Sequence, residues 1–267
     1  MPVTGYVVHE LNKTSFALEE KTPISQGLCY LLCGQEKAML IDTGFGLKSL
    51  PKVVCELTSL PVIVANTHGH IDHIRGNHFF DEIWLHEEDK KVFELHTDIS
   101  YTSTLIKESI VFPLNIILKK FLKPMLTVDT SGHYNYFDNE KVFHLGNRDI
   151  EVVAMPGHTP GSVCFLDKSN RMIFTGDSLC QWGVLLNLVQ ECCTSEVFLK
   201  SMQHIKKINE MFDDIYPGHH GFPVDKSYID DYLICAERII AGTVEKTRSK
   251  GRLAAKYGKV LIMIPEN

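Results

Sequence analysis

Two β-sheets packed face to face and covered by helices, an α+β architecture, are what the sequence predicts. Three observations carry the prediction. Short strand-like runs fall into two blocks, one in the first forty residues and one in the second half. Segments of helical spacing are interspersed with and follow those runs, which supplies the covering layers. Finally, 44 % of the 267 residues are hydrophobic, ample for a packed core of that size.

In the first block, GYVVHEL, SFALEE, GLCYLLCG and KAMLIDTG are rich in β-formers and separated by turn residues. LKSLPKVVCELTS follows with Leu47, Leu50, Val54 and Leu57 on one side, a helical spacing. PVIVANTHGH is a fully apolar strand that runs straight into a histidine-rich loop. EIWLH is another strand, and EEDKKVFELH a helix with an acidic first turn. Residues 99–126 are strongly apolar and interrupted by Pro113 and Pro124. They read as a helical insert packed on the core or forming a dimer contact. The alternatives are one wall or lid of an apolar substrate pocket, since insertions of this size often carry function, and a membrane-surface helix. In the second block KVFHLG, DIEVVAMPGH, GSVCFLD and RMIFTGD are strands that close in glycine-containing turns. SEVFLKSMQHIKKINEMF is amphipathic, DDIYPGHHG is a short strand ending in a loop, SYIDDYLICAERIIAG is a helix stopped by Gly242, and KVLIMI is a last strand. The chain reads as one domain over residues 1–267.

Charge and cysteine content narrow the class. A formal charge of -6 argues against a nucleic-acid partner, which would normally leave a basic footprint. The basic stretch Arg248, Lys250, Arg252, Lys256 and Lys259 reads as a solvated face. The start of the chain lacks a basic segment followed by an apolar run, and no stretch approaches the ~18 apolar residues of a membrane span. Eight cysteines are scattered without a CxxC pair, which predicts reduced thiols and a cytoplasmic protein. Cys180 lies near the loops discussed next but has no nucleophile motif around it.

Those loops hold the chemistry. NTHGHIDHIRGNHFF, residues 66–80, places His68, His70, Asp72 and His73 in six consecutive positions. In an extended segment i and i+2 point the same way, so His68 and His70 can grip one ion together, while Asp72 and His73 lie past a turn and reach a neighbouring position. A lone catalytic zinc takes about three protein ligands, so four donors in one loop ask for two ions and for further ligands from elsewhere. Candidates stand at predicted strand ends: His158 in MPGHTPGS, Asp177 in IFTGDS, and His219 or His220 in IYPGHHG. A strand end presents a side chain with small positional error.

The HxHxDH element at 68–73, followed in order by GHTPGS, TGD and PGH, resembles the metallo-β-lactamase superfamily, and IDTG at 41–44 resembles its first motif. The resemblance runs from about residue 20 to 221 and implies a four-layer αββα sandwich with a metal site at one edge. It implies His68, His70 and His158 on a first ion, Asp72, His73 and His219 on a second, and Asp177 bridging both beside a water or hydroxide. His219 is preferred to His220 because the family motif is a Gly-His pair and Gly218 precedes His219. Asp42 matches a supporting aspartate that is not itself a ligand. The remaining histidines, His9, His78, His86, His96, His133, His144 and His204, read as structural, and His220 as a supporting or substrate-contacting residue.

Imidazole and carboxylate donors suit zinc, manganese or iron alike. Redox members of the superfamily typically carry glutamate where this chain has His70, together with a flavin domain, so two divalent ions, with zinc favoured, are expected. The implied reaction is hydrolysis by a hydroxide bridging the ions, with Asp72 as the catalytic residue that orients it and passes its proton on. Glyoxalase-II-like members carry a glycine- and arginine-containing stretch after the bridging aspartate, but here SLCQWGVLLNL has no Arg or Lys. Lactonases of the family often have a tyrosine there, where Trp182 is the only aromatic. Gln181 and Trp182 are candidates for the substrate pocket. A small ester, thioester or lactone is the expected small-molecule substrate. Phosphodiester hydrolysis on the same fold, and metal binding without catalysis, are the alternatives.

Overall fold

The computed structural model describes residues 5–21, 26–109, 127–188, 190–249 and 251–266. The first block of strands forms a sheet of β1 (Gly5–Asn12), β2 (Ser15–Lys21), β3 (Gln26–Cys33), β4 (Ala38–Ile41), β5 (Val62–Ala65), β6 (Glu82–His86) and β7 (His133–Phe137), adjacent in that order. β1 to β4 pair antiparallel and β4 to β7 parallel. The parallel half needs crossovers, and α1 (Leu50–Leu57) supplies the one between β4 and β5. Pro51 stands in the first turn of α1, where a missing N–H costs nothing.

The second block contributes β8 (Val142–His144), β9 (Asp149–Ala154), β10 (Val163–Asp167), β11 (Met172–Gly176) and, after β12 (Val184–Leu185), β13 (Asp214–Pro217). Their sheet runs β13-β11-β10-β9-β8. It is antiparallel except for β11 and β13, which pair in parallel across a connection holding Ser195–Lys207.

Alternation along the strands divides the core into layers. Tyr30, Leu32, Met39, Ile41, Ile63 and Ala65 face the second sheet and meet Val152, Phe165, Phe174 and Tyr216. The intervening Leu31, Leu40 and Val64 face outward under Leu50 and Val54 of α1. On the far side, Val153, Cys164, Leu166 and Ile173 pack on Phe198, Met202 and Ile205 of the Ser195–Lys207 helix and on Ile229 and Tyr232 of the helix Ser227–Ile240. Helix, sheet, sheet and helix follow one another, the αββα order.

A third sheet was not anticipated from the sequence. β12 pairs with β16 (Val260–Met263), which pairs with β15 (Arg252–Tyr257), which pairs with β14 (Glu245–Ser249). Only β16 announces itself as apolar. Its Val260 and Ile262, with Ala255 of β15, join the core on the helical side of the second sheet. The basic stretch therefore lies largely on a hairpin, where Arg248 pairs with Glu266 at 2.6 Å. The apolar insert begins as a helix, Ile99–Ser109, after the helix Lys90–Thr97. Its remainder, 110–126, lies outside the described residues, so neither the lid nor the dimer-contact expectation is met or overturned. Among the described residues no helix is long and apolar enough to cross a membrane.

One buried ion pair ties the two large sheets together. Arg148, in the turn between β8 and β9, donates from Nε to Oδ2 of Asp167 at 2.7 Å, from Nη2 to Ser15 Oγ at 2.7 Å, and from Nη1 to the Thr14 carbonyl at 2.9 Å. Both charged side chains are buried.

Candidate metal centre

Five strands end on one edge of the sandwich: β4 and β5 in the first sheet, and β9, β11 and β13, all parallel to one another, in the second. Each releases one of the predicted side chains or loops there. Asp42 follows β4, the HGHIDH loop follows β5, His158 follows β9, Asp177 follows β11 and His219 follows β13. Two glycines allow the loops to close on each other. A Cβ on Gly176 would stand 2.5 Å from Thr67 Oγ1, and Gly176 also has φ +50°. A Cβ on Gly218 would stand 2.7 Å from His73 Cε1 and 2.8 Å from Asp177 Oδ1. TGD and PGH thus need their glycines for close approach.

All seven side chains expected as ligands come together. Donor atoms of His68, His70 and His158 lie within 4.8 Å of one another, as do those of Asp72, His73 and His219, and those of His68, His73 and Asp177. Asp177 stands between the two triads. Its Oδ1 is 3.4 Å from His73 Nε2 and 3.6 Å from His219 Nε2, and its Oδ2 is 3.6 Å from His158 Nε2. Asp72 Oδ2 lies 3.2 Å from His219 Nε2.

Hydrogen bonds on the far side of each ring fix which nitrogen faces inward. His158 Nδ1 donates to the Leu185 carbonyl at 3.0 Å, His219 Nδ1 to the Gln26 carbonyl at 3.1 Å, and His73 Nδ1 to Asp42 Oδ2 at 2.8 Å. The Thr67 hydroxyl donates to Asp42 Oδ2 at 2.7 Å, which leaves its lone pairs for His68 Nδ1 at 3.0 Å. Asp42 thus acts on the site through His73 and Thr67 and lies outside both triads. In the neutral rings the inward Nε2 atoms are left with lone pairs. His158 Nε2 faces His70 Nδ1 at 3.0 Å, and His73 Nε2 faces His219 Nε2 at 3.2 Å. His68 Nε2 and Asp177 Oδ1 are buried without a hydrogen-bond partner. Facing lone pairs and orphaned buried acceptors are costly unless a cation or a proton lies among them. The donors therefore fit two divalent cations, one in each triad.

The charges agree. Burial opposes ionisation of Asp72 and Asp177, but the imidazoles of His73 and His219 outweigh it and hold both well below the usual carboxylate range. Burial also opposes a charge on His219, yet the Asp177 and Asp72 carboxylates push it up to about 9. His158, buried beside His70, is pushed down to about 4. Below about pH 9, then, His219 carries a proton that a cation must displace. Cation uptake near pH 7.5 is expected to release about one proton per chain or more, and affinity to rise with pH until His219 has lost its proton. Calorimetric titration in buffers of different ionisation enthalpy reads this directly. Binding with no proton release at that pH would contradict the arrangement.

Several contributors carry no local motif. Asp89, fully buried, accepts from the Gly69 N–H at 2.5 Å and the Gly161 N–H at 2.9 Å, and so clamps the HGHIDH loop to the GHTPG loop. The acidic turn EED was its only signal. His96 was expected to be a plain structural residue, yet it lies behind His70, its ring centroid 4.4 Å from that of His70. Glu191 contacts both rings, at 2.7 Å and 3.1 Å. His220 is turned out of the donor cluster, its ring 4.5 Å from that of Trp182. Trp182 is 55 % exposed, and Gln181 lies against Gly221, so both flank the His219 loop rather than the donors. In SLCQWGVLLNL, Leu179, Cys180, Val184 and Leu186 are buried, so these four side chains belong to the core.

Comparison with known proteins agrees with the geometry. The family model described as the Metallo-beta-lactamase superfamily matches residues 22–246. The human acyl-coenzyme A thioesterase MBLAC2 is 25 % identical over 236 residues, covering 77 % of this chain and 80 % of its own. The human mitochondrial persulfide dioxygenase ETHE1 is 28 % identical over 257 residues, covering 92 % of this chain and 84 % of its own. Among solved structures, a metallo-beta-lactamase family protein from Thermus thermophilus superposes with a TM-score of 0.62 at 19 % identity, covering 87 % of this chain and 80 % of that one. That likeness shows the fold.

Proposed function

We propose, from the premise that the chain belongs to the metallo-beta-lactamase superfamily, that this metal-dependent hydrolase cleaves a small thioester on two zinc ions. The observation that carries the reading is Asp177 standing between two complete triads, with Oδ1 toward His73 and His219 and Oδ2 toward His158. Two divalent ions, if bound there, would lower the pKa of a water towards ~7 and would polarise a carbonyl oxygen. His68, His70 and His158 would hold the first ion and Asp72, His73 and His219 the second, with Asp177 within reach of either.

The chain's own groups do the rest. Asp42 and the Leu185 and Gln26 carbonyls keep His73, His158 and His219 aimed inward. Asp72, its side chain 26 % exposed, is the carboxylate open enough to take a proton from the attacking water and pass it to the leaving sulfur. A thioester is preferred to an oxoester or lactone because MBLAC2 is named for that bond. Trp182 and Gln181, beside the His219 loop, would meet the substrate as it enters. A second reading, an iron-dependent oxidation, has the similarity to ETHE1 in its favour.

The test is a panel of acyl-coenzyme A thioesters, a lactone and an aryl phosphodiester, assayed with zinc-loaded and with iron-loaded protein. Thioester turnover by the zinc form, lost when zinc is chelated and restored on its return, is the expected result. Turnover of the lactone or phosphodiester alone would reassign the bond class. Oxygen consumption with a persulfide, seen only in the iron form, would establish the second reading.

A further inference from the structure

A buried carboxylate behind the first triad is unused by the mechanism above. Glu191 lies in the connection after β12, and its side chain is fully excluded from solvent. Its Oε2 stands 2.7 Å from His70 Nε2 and accepts from His96 Nε2 at 3.1 Å, while Oε1 accepts from the Tyr101 hydroxyl. The direction at His96 is fixed. Its Nδ1 accepts the Ile71 N–H at 3.1 Å, so the ring hydrogen is on Nε2 and points at Glu191. A charge so buried persists only among partners such as these.

His70 is the odd member of the first triad. His68 and His158 turn Nε2 inward, whereas His70 turns Nδ1 toward His158 and leaves Nε2 on the outside, against Glu191. That contact meets His70 away from its N–H axis, so it works through charge rather than as a straight hydrogen bond. We propose that Glu191 is a positioning residue for the first ion. Its carboxylate keeps the ring hydrogen of His70 on Nε2 and makes Nδ1 the inward donor. His96 holds Glu191 in place from the other side, and Ile71, next to His70 in the chain, holds His96. The proposal rests on the two-ion reading of the site.

His70, His96 and Glu191 also lie within 4.8 Å of one another, which suggests a third cation site. The hydrogen bonds speak against it. Both nitrogens of His96 are committed, one as acceptor from Ile71 and one as donor to Glu191, so His96 has no lone pair to offer.

Zinc affinity, measured by competition with a chromophoric chelator, tests the role without any assay of turnover. Two backgrounds separate the triads: His219→Ala leaves the first intact, and His158→Ala the second. In the His219→Ala background, Glu191→Ala is expected to weaken zinc about 10–100-fold, and Glu191→Gln, which keeps the shape and an acceptor oxygen, to recover part of that. In the His158→Ala background the same substitutions are expected to change affinity less than about twofold. Equal affinity with and without Glu191 in the first background would overturn the proposal. So would an equal loss in both backgrounds, which is what general structural damage produces. Three zinc ions in the parent and two in Glu191→Ala would replace it with the third-site reading. A parent protein that takes up no zinc would instead overturn the two-ion reading on which it rests.

Discussion

Asp177→Ala is expected to yield a folded protein that retains neither ion firmly and has lost about a thousandfold or more in kcat/KM. The expectation follows from the position of its two oxygens. Oδ1 serves the His73 and His219 side and Oδ2 the His158 side, so a single truncation removes a donor available to both triads and the negative charge between them. Four imidazole nitrogens are then left facing one another at 3.0 and 3.2 Å with less negative charge to hold a cation among them. Stabilisation of developing charge by bound metal is worth several kcal/mol, and roughly 4 kcal/mol corresponds to a thousandfold in rate. The contrast with single-triad variants makes the prediction specific. His158→Ala and His219→Ala should each keep about one ion per chain, whereas Asp177→Ala should weaken both. Metal analysis after dialysis, beside steady-state kinetics, gives the answer. Two retained ions and near-parental turnover in Asp177→Ala would remove the bridging role and the mechanism with it.

The donors were legible because each sits just beyond a strand whose apolar pattern is plain, within a short motif of unusual composition. Their order along the chain did the rest, since β4, β5, β9, β11 and β13 end on a single edge. What the sequence hid falls into two physical kinds. Glu191, His96 and Asp89 act across long separations. The Glu191–His96 contact joins residues 95 apart, and neither has a neighbour that marks it. A histidine in the helix Lys90–Thr97 looks the same whether it meets solvent or a buried carboxylate. β7 and β14 were missed for another reason: they are held by pairing more than by burial. In β14, Glu245–Ser249, no residue is buried, so there is no apolar alternation to read. In β7 only Phe137 is buried, and its pairing with β6 fixes it.

The Arg148–Asp167 pair should show the largest effect on stability. Asp167 is wholly buried and Arg148 nearly so, and the guanidinium also satisfies the Thr14 and Cys33 carbonyls and Ser15 Oγ. Replacing Arg148 by Met leaves a buried carboxylate without its counter-charge. Breaking a buried pair in this way typically costs about 3–5 kcal/mol. For a chain of this length that is roughly a 10 °C fall in Tm. Thermal unfolding should be followed on chelator-treated protein, since ions that bind only the native state would mask the loss. The double variant Arg148→Met, Asp167→Asn is the informative comparison. An amide at 167 can still accept from the Asn170 N–H, which Asp167 Oδ1 now does at 3.1 Å, while removing the stranded charge. If the single variant suffers mainly from that charge, the double variant regains a good part of the lost Tm, limited by the carbonyls that stay unpaired. A double variant no more stable than the single would mean that the fork between the sheets, through Ser15, Thr14 and Cys33, carries the contribution and the charge pairing little.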